Sequence, residues 1–275
     1  MLTTNLGSKI PNLLDVITPT LNIANYIENC LLSTKALGCL ANHIVVDSGS
    51  KDGTLEKVRL AGVNSVYHPP GNMYAAINRG IAETNSKWVT YLNADDIVYP
   101  NEIKNVLENI ADDCDVVYGN IDYIDSEGRF LHHWKSAQSE NFAGLFAKNI
   151  MPFPQQGAIF RRSLWEKLSG FDERYKYAAD FDFFLRAFAQ GAKFHYYDRM
   201  PVAGFRLHSN QISQNHADSM FEEGRRSFKK SALGVNRYQI IRAIAGMRLR
   251  NINGYLSRIL RHHHLYGKMR IIKSI

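Results

Sequence analysis

Trp88-Val-Thr-Tyr-Leu-Asn-Ala-Asp-Asp96 is an apolar run that stops abruptly on Asn93, Ala94, Asp95 and Asp96. The pattern is that of a buried strand whose last residues surface at the carboxyl edge of a sheet, where α/β proteins hold their ligands. Mg²⁺ and Mn²⁺ are hard cations that take oxygen ligands, commonly one or two carboxylates together with substrate phosphates. A short acidic cluster is therefore sufficient to hold a divalent cation against a phosphate. A second reading is local: Asp95 or Asp96 caps the helix whose start is marked by Pro100.

On either side of this stretch, apolar runs of strand length alternate with amphipathic runs of helix length, the pattern of stacked βαβ units. Strands are expected at Leu14 to Thr18, His43 to Asp47, Ser65 to His68, Trp88 to Asn93 and Cys114 to Gly119. Helices are expected at Tyr26 to Thr34, Thr54 to Leu60, Met73 to Glu83 and Asn101 to Ile110. Polar loops follow four of the strands: Thr18-Pro-Thr-Leu-Asn22, Asp47-Ser-Gly-Ser50, Pro69-Pro-Gly-Asn72 and Asn93 to Asp96. Past Gly119 the rhythm changes. Ile121 to Trp134 reads as two short strands around an Asp-Ser-Glu-Gly turn, and Pro152 to Arg162 as a loop entering a strand, with a short helix from Ser163. Gly170-Phe-Asp-Glu173 then turns the chain into Tyr177-Ala-Ala-Asp-Phe-Asp-Phe-Phe-Leu-Arg186, which sets Asp180 at a helix N-terminus and Phe183, Phe184 and Phe188 toward the core.

A chain of 275 residues suits one large domain or a domain with an appendage. No apolar run approaches the roughly 18 residues of a membrane span, and no signal-peptide pattern opens the chain, so a cytoplasmic location is expected. Cys30, Cys39 and Cys114 show no C-x-x-C spacing, which argues against a disulfide framework or a zinc site. No G-x-G-x-x-G follows the first strand, which sets aside a dinucleotide oxidoreductase. The net charge of +7 hides an asymmetry. Residues 225–275 hold 13 Lys or Arg and no Asp or Glu, whereas residues 1–224 hold 20 against 26, a net −6. The expected organisation is a catalytic domain over 1–224 and a basic helical extension over 225–275. Within the extension, Ile252, Tyr255, Leu256, Ile259 and Leu260 form an apolar stripe beside Arg250, Arg258 and Arg261. Such a helix suits an anionic membrane surface, with packing on the domain or self-association into a homodimer as alternatives. Adjacent His262, His263 and His264 diverge on a helix and belong to the basic surface. Nucleic acid is not expected, because no recognised module with interleaved aromatics is present.

The ordered motifs resemble family 2 glycosyltransferases of the GT-A fold, most closely the bacterial enzymes that build exopolysaccharide or lipopolysaccharide. The matching residues are Ile17-Thr-Pro-Thr-Leu-Asn22, Ile44-Val-Val-Asp-Ser-Gly-Ser-Lys-Asp-Gly-Thr54, Met73-Tyr-Ala-Ala-Ile-Asn-Arg-Gly80, Leu92 to Asp96, Asp115 to Asn120, and Arg161 to Asp172 leading to Ala179-Asp180. Each is weak alone, and the ordered set is specific. The resemblance implies a Rossmann-like, mostly parallel sheet flanked by helices, and an inverting transfer of sugar from a nucleotide-diphosphate donor, a UDP-sugar above all. The acceptor would be a hydroxyl of a surface glycan or a lipid-linked saccharide. It implies that Pro19, Thr20 and Leu21 hold base and ribose, that Asp47 and Ser48 contact the base, and that Tyr74 lies on the helix behind the pyrophosphate. Asn93, Ala94 and Asp96 would face the donor, Asp95 and His208 would bind Mn²⁺ or Mg²⁺, Asp182 would orient the acceptor or Arg186, and Asp180 would be the catalytic base.

Three positions depart from the family pattern. Asn93 stands where the strict signature has its first Asp, Ala179 where many members have Glu, and Pro70 to Asn72 where Asp-Lys-Gly is common. They lend support to a rival, a catalytically weakened nucleotide-sugar-binding protein. Another rival, a GT-A-like nucleotidyltransferase, would need a Gly-rich, basic triphosphate loop after the first strand, and Thr18 to Asn22 does not supply it.

Overall fold

The computed structural model describes residues 13–209, 211 and 215–261. Its first half is the expected βαβ succession: β1 (Leu14–Thr20), α1 (Ile27–Lys35), β2 (Ala41–Asp47), α2 (Thr54–Ala61), β3 (Asn64–Tyr67), α3 (Met73–Ala82) and β4 (Trp88–Tyr91). β1 pairs in parallel with β2 and β4, and β2 with β3. The crossover helices bury apolar faces on this sheet, and α3 sets Gly80 directly against the side chains of β1 and β2. A Cβ on Gly80 would lie 2.5 Å from Ile17 Cγ2 and 2.8 Å from Val46 Cγ2, so glycine is what lets the helix backbone touch β1 and β2.

The chain continues through β5 (Ile97–Val98), α4 (Pro100–Glu108), β6 (Val116–Gly119), β7 (Ile121–Ile124), β8 (Phe130–Trp134), α5 (Phe142–Ala147), β9 (Ala158–Arg161), α6 (Arg162–Lys167), α7 (Ala179–Ala189), β10 (Phe194–Tyr197) and β11 (Ala203–Arg206). β9 enters the main sheet antiparallel to both β4 and β6, giving seven strands in the order β10-β6-β9-β4-β1-β2-β3. A second sheet, ordered β5-β11-β7-β8, follows from the expected 121–134 hairpin. The architecture is mixed α/β with a mostly parallel central sheet flanked by helices. Phe142, Phe146, Phe153, Phe160, Phe171, Phe183 and Phe184 are all buried to 1% exposure or less and pack edge-to-face or tilted, so aromatic area dominates the core behind the site.

The basic segment is built onto this body. α8 (Ala217–Ser231) packs on α7, so the change of charge after Gly224 falls inside a helix and not at a linker. α9 (Arg237–Arg250) buries Ala243 and Met247 against α5, where a Cβ on Gly144 would meet the Gln239 carbonyl oxygen at 2.4 Å. Asn251 pairs with both main-chain groups of Lys135, and Tyr255 of α10 (Ile252–Arg261) packs its ring 5.6 Å from Trp134. The expected single stripe is thereby divided. Tyr255 faces the domain, whereas Ile252 and Leu256 are about half exposed, at 52% and 51%. The side chains at 258–261 and the histidines at 262–264 lie outside the described residues. Among the described residues, no helix is long and apolar enough to cross a membrane.

Under the sheet, His43 bridges two hydroxyls, 2.8 Å from Thr18 Oγ1 and 2.7 Å from Thr34 Oγ1, and burial pulls its pKa down to about 4. The folded state therefore prefers the neutral ring, while the unfolded chain titrates near 6.5. The stability this provides is complete above pH 6.5 and is lost as pH falls toward 4. We expect the urea midpoint to fall between pH 7 and pH 5, with His43→Gln flattening that fall; an equal pH slope in both proteins would refute the assignment.

Candidate active site

β4 ends at Tyr91, and the Leu92 N–H still reaches the Ile17 carbonyl at 2.9 Å before the chain turns through Asn93 to Asp96. The two adjacent carboxylates separate here. Asp96 points inward, 1% exposed, where it accepts from the Arg206 N–H and Gln156 Nε2, both at 2.9 Å, and from Asn93 Nδ2 at 3.4 Å. Burial, with the neighbouring Asp95, raises its pKa well above the ordinary carboxylate range. In this structure its carboxylate is engaged by protein groups. Neither aspartate caps α4, whose N-cap is Tyr99. Ala94 also turns inward and packs with Ile27, Leu31, Val45 and Val58.

Asp95 keeps a partly exposed carboxylate, and its Oδ2 lies 2.9 Å from His208 Nε2. The His208 ring packs against Tyr26 with centroids 4.6 Å apart. Arg206, itself buried, fixes this corner from below: Nε donates to the Asp95 carbonyl at 2.7 Å and Nη1 to the carbonyls of Asp125 and Ser126. Among the described residues, the buried Asn93 Oδ1 and His208 Nδ1 have no hydrogen-bond partner. The Asp95 carboxylate and the His208 imidazole, with the Asn93 amide oxygen on the same turn, are ligand types that suit Mn²⁺ or Mg²⁺ when substrate oxygens complete the set. Among the described residues, no group of three or more His, Cys, Asp or Glu forms a complete protein cage.

The first two strand ends meet through Asp47. Its Oδ2 accepts the Gly49 and Ser50 N–H groups at 2.7 and 2.9 Å, and its Oδ1 accepts the Ser50 and Thr20 hydroxyls at 2.5 and 3.2 Å. A carboxylate has about four acceptor positions, so this one is filled by its own loop. Asp47 thereby shapes the loop. Ser48 donates its N–H to the Thr20 carbonyl, Pro19 is buried at the end of β1, and Leu21 is half exposed beside them. Asp52 accepts the Thr54 N–H and hydroxyl ahead of α2, whose N-cap is Gly53.

Asp180 lies in the first turn of α7, partly exposed. Its Oδ1 accepts Tyr74 Oη at 3.0 Å and the Phe181 N–H at 2.8 Å, and its Oδ2 accepts Tyr91 Oη at 3.3 Å. Burial raises its pKa, and these three donors partly oppose the rise. Asp180 is thus not the N-cap, which is Ala178, although its carboxylate holds one first-turn N–H. Asp182, by contrast, is 4% exposed and bonded to Arg186 Nε at 2.6 Å and Ser227 Oγ at 2.7 Å. It orients Arg186. Asn78 and Arg79 also serve structure: Asn78 ties α3 to Phe171, and Arg79 pairs with Glu83.

A strand edge carrying an acidic turn, with a carboxylate from a later helix joined to the same strand by Tyr91, defines a glycosyltransferase of the GT-A fold. The chain belongs to glycosyl transferase family 2, whose pattern matches residues 15–169. It is 30% identical over 200 residues to the PGL/p-HBAD biosynthesis glycosyltransferase of Mycobacterium tuberculosis, covering 69% of this chain and 75% of that protein. An uncharacterized glycosyltransferase of Rickettsia bellii is 28% identical over 217 residues, and the chain spans 31% of that protein's length. Among solved structures, S. aureus TarS 1-349 in complex with UDP-GlcNAc shares the fold at TM-score 0.61 and 18% identity, covering 90% of this chain and 74% of that one. The mannosyltransferase PcManGT of Pyrobaculum calidifontis, in complex with GDP-Man and Mn2+, does so at TM-score 0.58 and 18% identity, covering 92% and 76%.

Tyr91, Gln156 and Arg206 act in this site although sequence reading did not single them out. Tyr91 was hidden as one more apolar residue of a core strand. Its hydroxyl stabilises ionised Asp180, so Tyr91→Phe should raise the Asp180 pKa further. Titration of the ¹³C-labelled carboxyl by NMR checks this, and an unmoved or lowered pKa would contradict it.

Proposed function

We propose that the chain transfers a sugar from a UDP-sugar to a hydroxyl of a saccharide or lipid-linked acceptor, with inversion at the anomeric carbon. The observation that carries this reading is the partly exposed Asp180 carboxylate, held by Tyr91 on the same strand that delivers Asp95. Asp180 takes the acceptor's proton as that oxygen bonds to the anomeric carbon; the bond from that carbon to the diphosphate oxygen breaks on the opposite face. A single displacement of this kind inverts the centre. A base near its operating pH works best, and the raised pKa of Asp180 moves it in that direction. Asp95 and His208, with Asn93 Oδ1 on the same turn, would hold a divalent cation, which would neutralise charge growing on the departing diphosphate. Pro19, Thr20, Leu21 and Ser48 edge the space assigned to the nucleoside.

Support for uridine comes from the fold neighbours solved with UDP or UDP-GlcNAc. Support for manganese comes from the neighbour solved with Mn2+. The test is a screen of nucleotide sugars with and without Mn²⁺. We expect a UDP-sugar to bind more tightly with Mn²⁺, Asp95→Ala to abolish that gain, and Asp180→Asn to lower transfer at least ~100-fold with donor affinity retained. Full activity in Asp180→Asn would exclude it as the base.

The basic extension supports attachment to an anionic membrane. On the side of α9 opposite Ala243 and Met247, Tyr238, Ile241 and Leu249 are 71%, 57% and 71% exposed, and the exposed Arg237, Arg242 and Arg248 flank them. Apolar side chains rimmed by arginine suit the headgroup boundary of an acidic bilayer, each cation contributing about 1 kcal/mol. The full chain should float with phosphatidylglycerol vesicles but not phosphatidylcholine vesicles, and the triple change Tyr238→Ser, Ile241→Ser, Leu249→Ser should release it. Indifference to lipid charge, or a concentration-dependent dimer in place of binding, would replace the membrane with another occupant.

A further inference from the structure

We propose that Glu223 is a positioning residue for Asp180, an inference that rests on Asp180 serving as the base. The three residues ahead of α7 present consecutive main-chain N–H groups, and one carboxylate collects all of them. Glu223 Oε1 accepts the Lys176 N–H at 2.9 Å, and Oε2 accepts the Tyr177 and Ala178 N–H groups at 2.8 and 2.9 Å. Glu223 comes from α8, 45 residues further along the chain than Ala178, and is 8% exposed. A buried carboxylate is costly unless its charge is met by good hydrogen bonds. These three charge-assisted bonds meet it, and in return they fix the backbone two residues before Asp180.

The grip continues on either side. The single Tyr74 hydroxyl hydrogen is shared between Asp180 Oδ1 and the Tyr177 carbonyl, 3.3 Å from Oη, so the peptide held by Glu223 also locates a phenol that clasps Asp180. One turn along α8, Ser227 Oγ holds Asp182 at 2.7 Å, and Asn72 Nδ2 holds the Glu173 carbonyl at 2.6 Å from the α3 side. Only an acceptor-only group fits the centre of this arrangement. A glutamine amide would turn its NH₂ toward at least one of the three N–H groups, leaving two donors face to face.

The test uses the full chain with Glu223→Gln and Glu223→Asp, alongside Asp180→Asn. In Glu223→Gln, we expect amide exchange at 176–178 to quicken, the ¹³C titration of the Asp180 carboxyl to move, and kcat to fall about 10- to 100-fold with UDP affinity unchanged. Glu223→Asp keeps the charge and should recover part of each; it carries the same readouts if the glutamine variant fails to fold. A folded Glu223→Gln with wild-type kcat and an unmoved Asp180 titration overturns the proposal, as does a loss of kcat matched by equal losses of UDP affinity and melting temperature. If Asp180→Asn proves fully active, the base reading has failed, and the Asp180 titration alone then judges Glu223, an unmoved curve overturning its role.

Discussion

A phenol hydroxyl removed from water costs roughly 1–3 kcal/mol if it finds no partner. Tyr74 and Tyr91 are each 2% exposed, and both satisfy that demand on the carboxylate of Asp180. Three elements far apart in sequence, α3, β4 and α7, are thereby pinned at one point on the sheet edge. The cost and the benefit are shared. The phenols gain an acceptor, and the carboxylate gains donors that keep it ionisable in a site whose burial would otherwise hold its proton. Because β4 runs directly into Asn93 to Asp96, the same contact fixes the relation between Asp180 and the acidic turn.

That turn also explains two departures from the family pattern. Asn93 Nδ2 donates to Asp96 Oδ2, and Asp96 is already pressed toward its neutral form by burial and by Asp95. An aspartate at 93 would set a third carboxylate against that group and supply no donor, so asparagine relieves the crowding at the cost of one negative charge. Ala179 is fully buried at the start of α7, and a glutamate there would have to bury its carboxylate in the aromatic core. Both substitutions fit the packing of this chain, so neither weighs strongly for a remnant that has lost its site.

The sequence made the parallel half of the fold legible because βαβ units write their periods plainly: apolar runs at β1, β2 and β4, helical spacing between, and polar residues at the strand ends. The second sheet was legible only at its 121–134 hairpin. β5, β10 and β11 are two to four residues long and too short to show alternation. In the extension, α9 carries apolar residues both inward, at Ala243 and Met247, and outward, at Tyr238, Ile241 and Leu249, so no single stripe could be read from it. Glu223 was invisible for a related reason. Counted as one of the last acids before a basic run, it marked a boundary, whereas its partners are main-chain N–H groups that composition does not record.

Solvent exposure separates the acidic residues of this region more sharply than motif or hydrogen-bond count. Asp47, Asp96, Asp182 and Glu223 each have their oxygens engaged by groups of their own chain, and each shapes a loop or joins two elements. Asp180 accepts three donors, as many as Glu223, but it remains partly open to solvent. Asp95 is also partly open and engages one oxygen with His208. Open carboxylates therefore collect at two places, on the strand end and on the helix that Tyr91 binds to it. A buried polar network that is complete is structural; one that stops short leaves room for another molecule to finish it. Here the two open carboxylates are the ones that the proposed transfer assigns to the departing diphosphate and to the incoming hydroxyl.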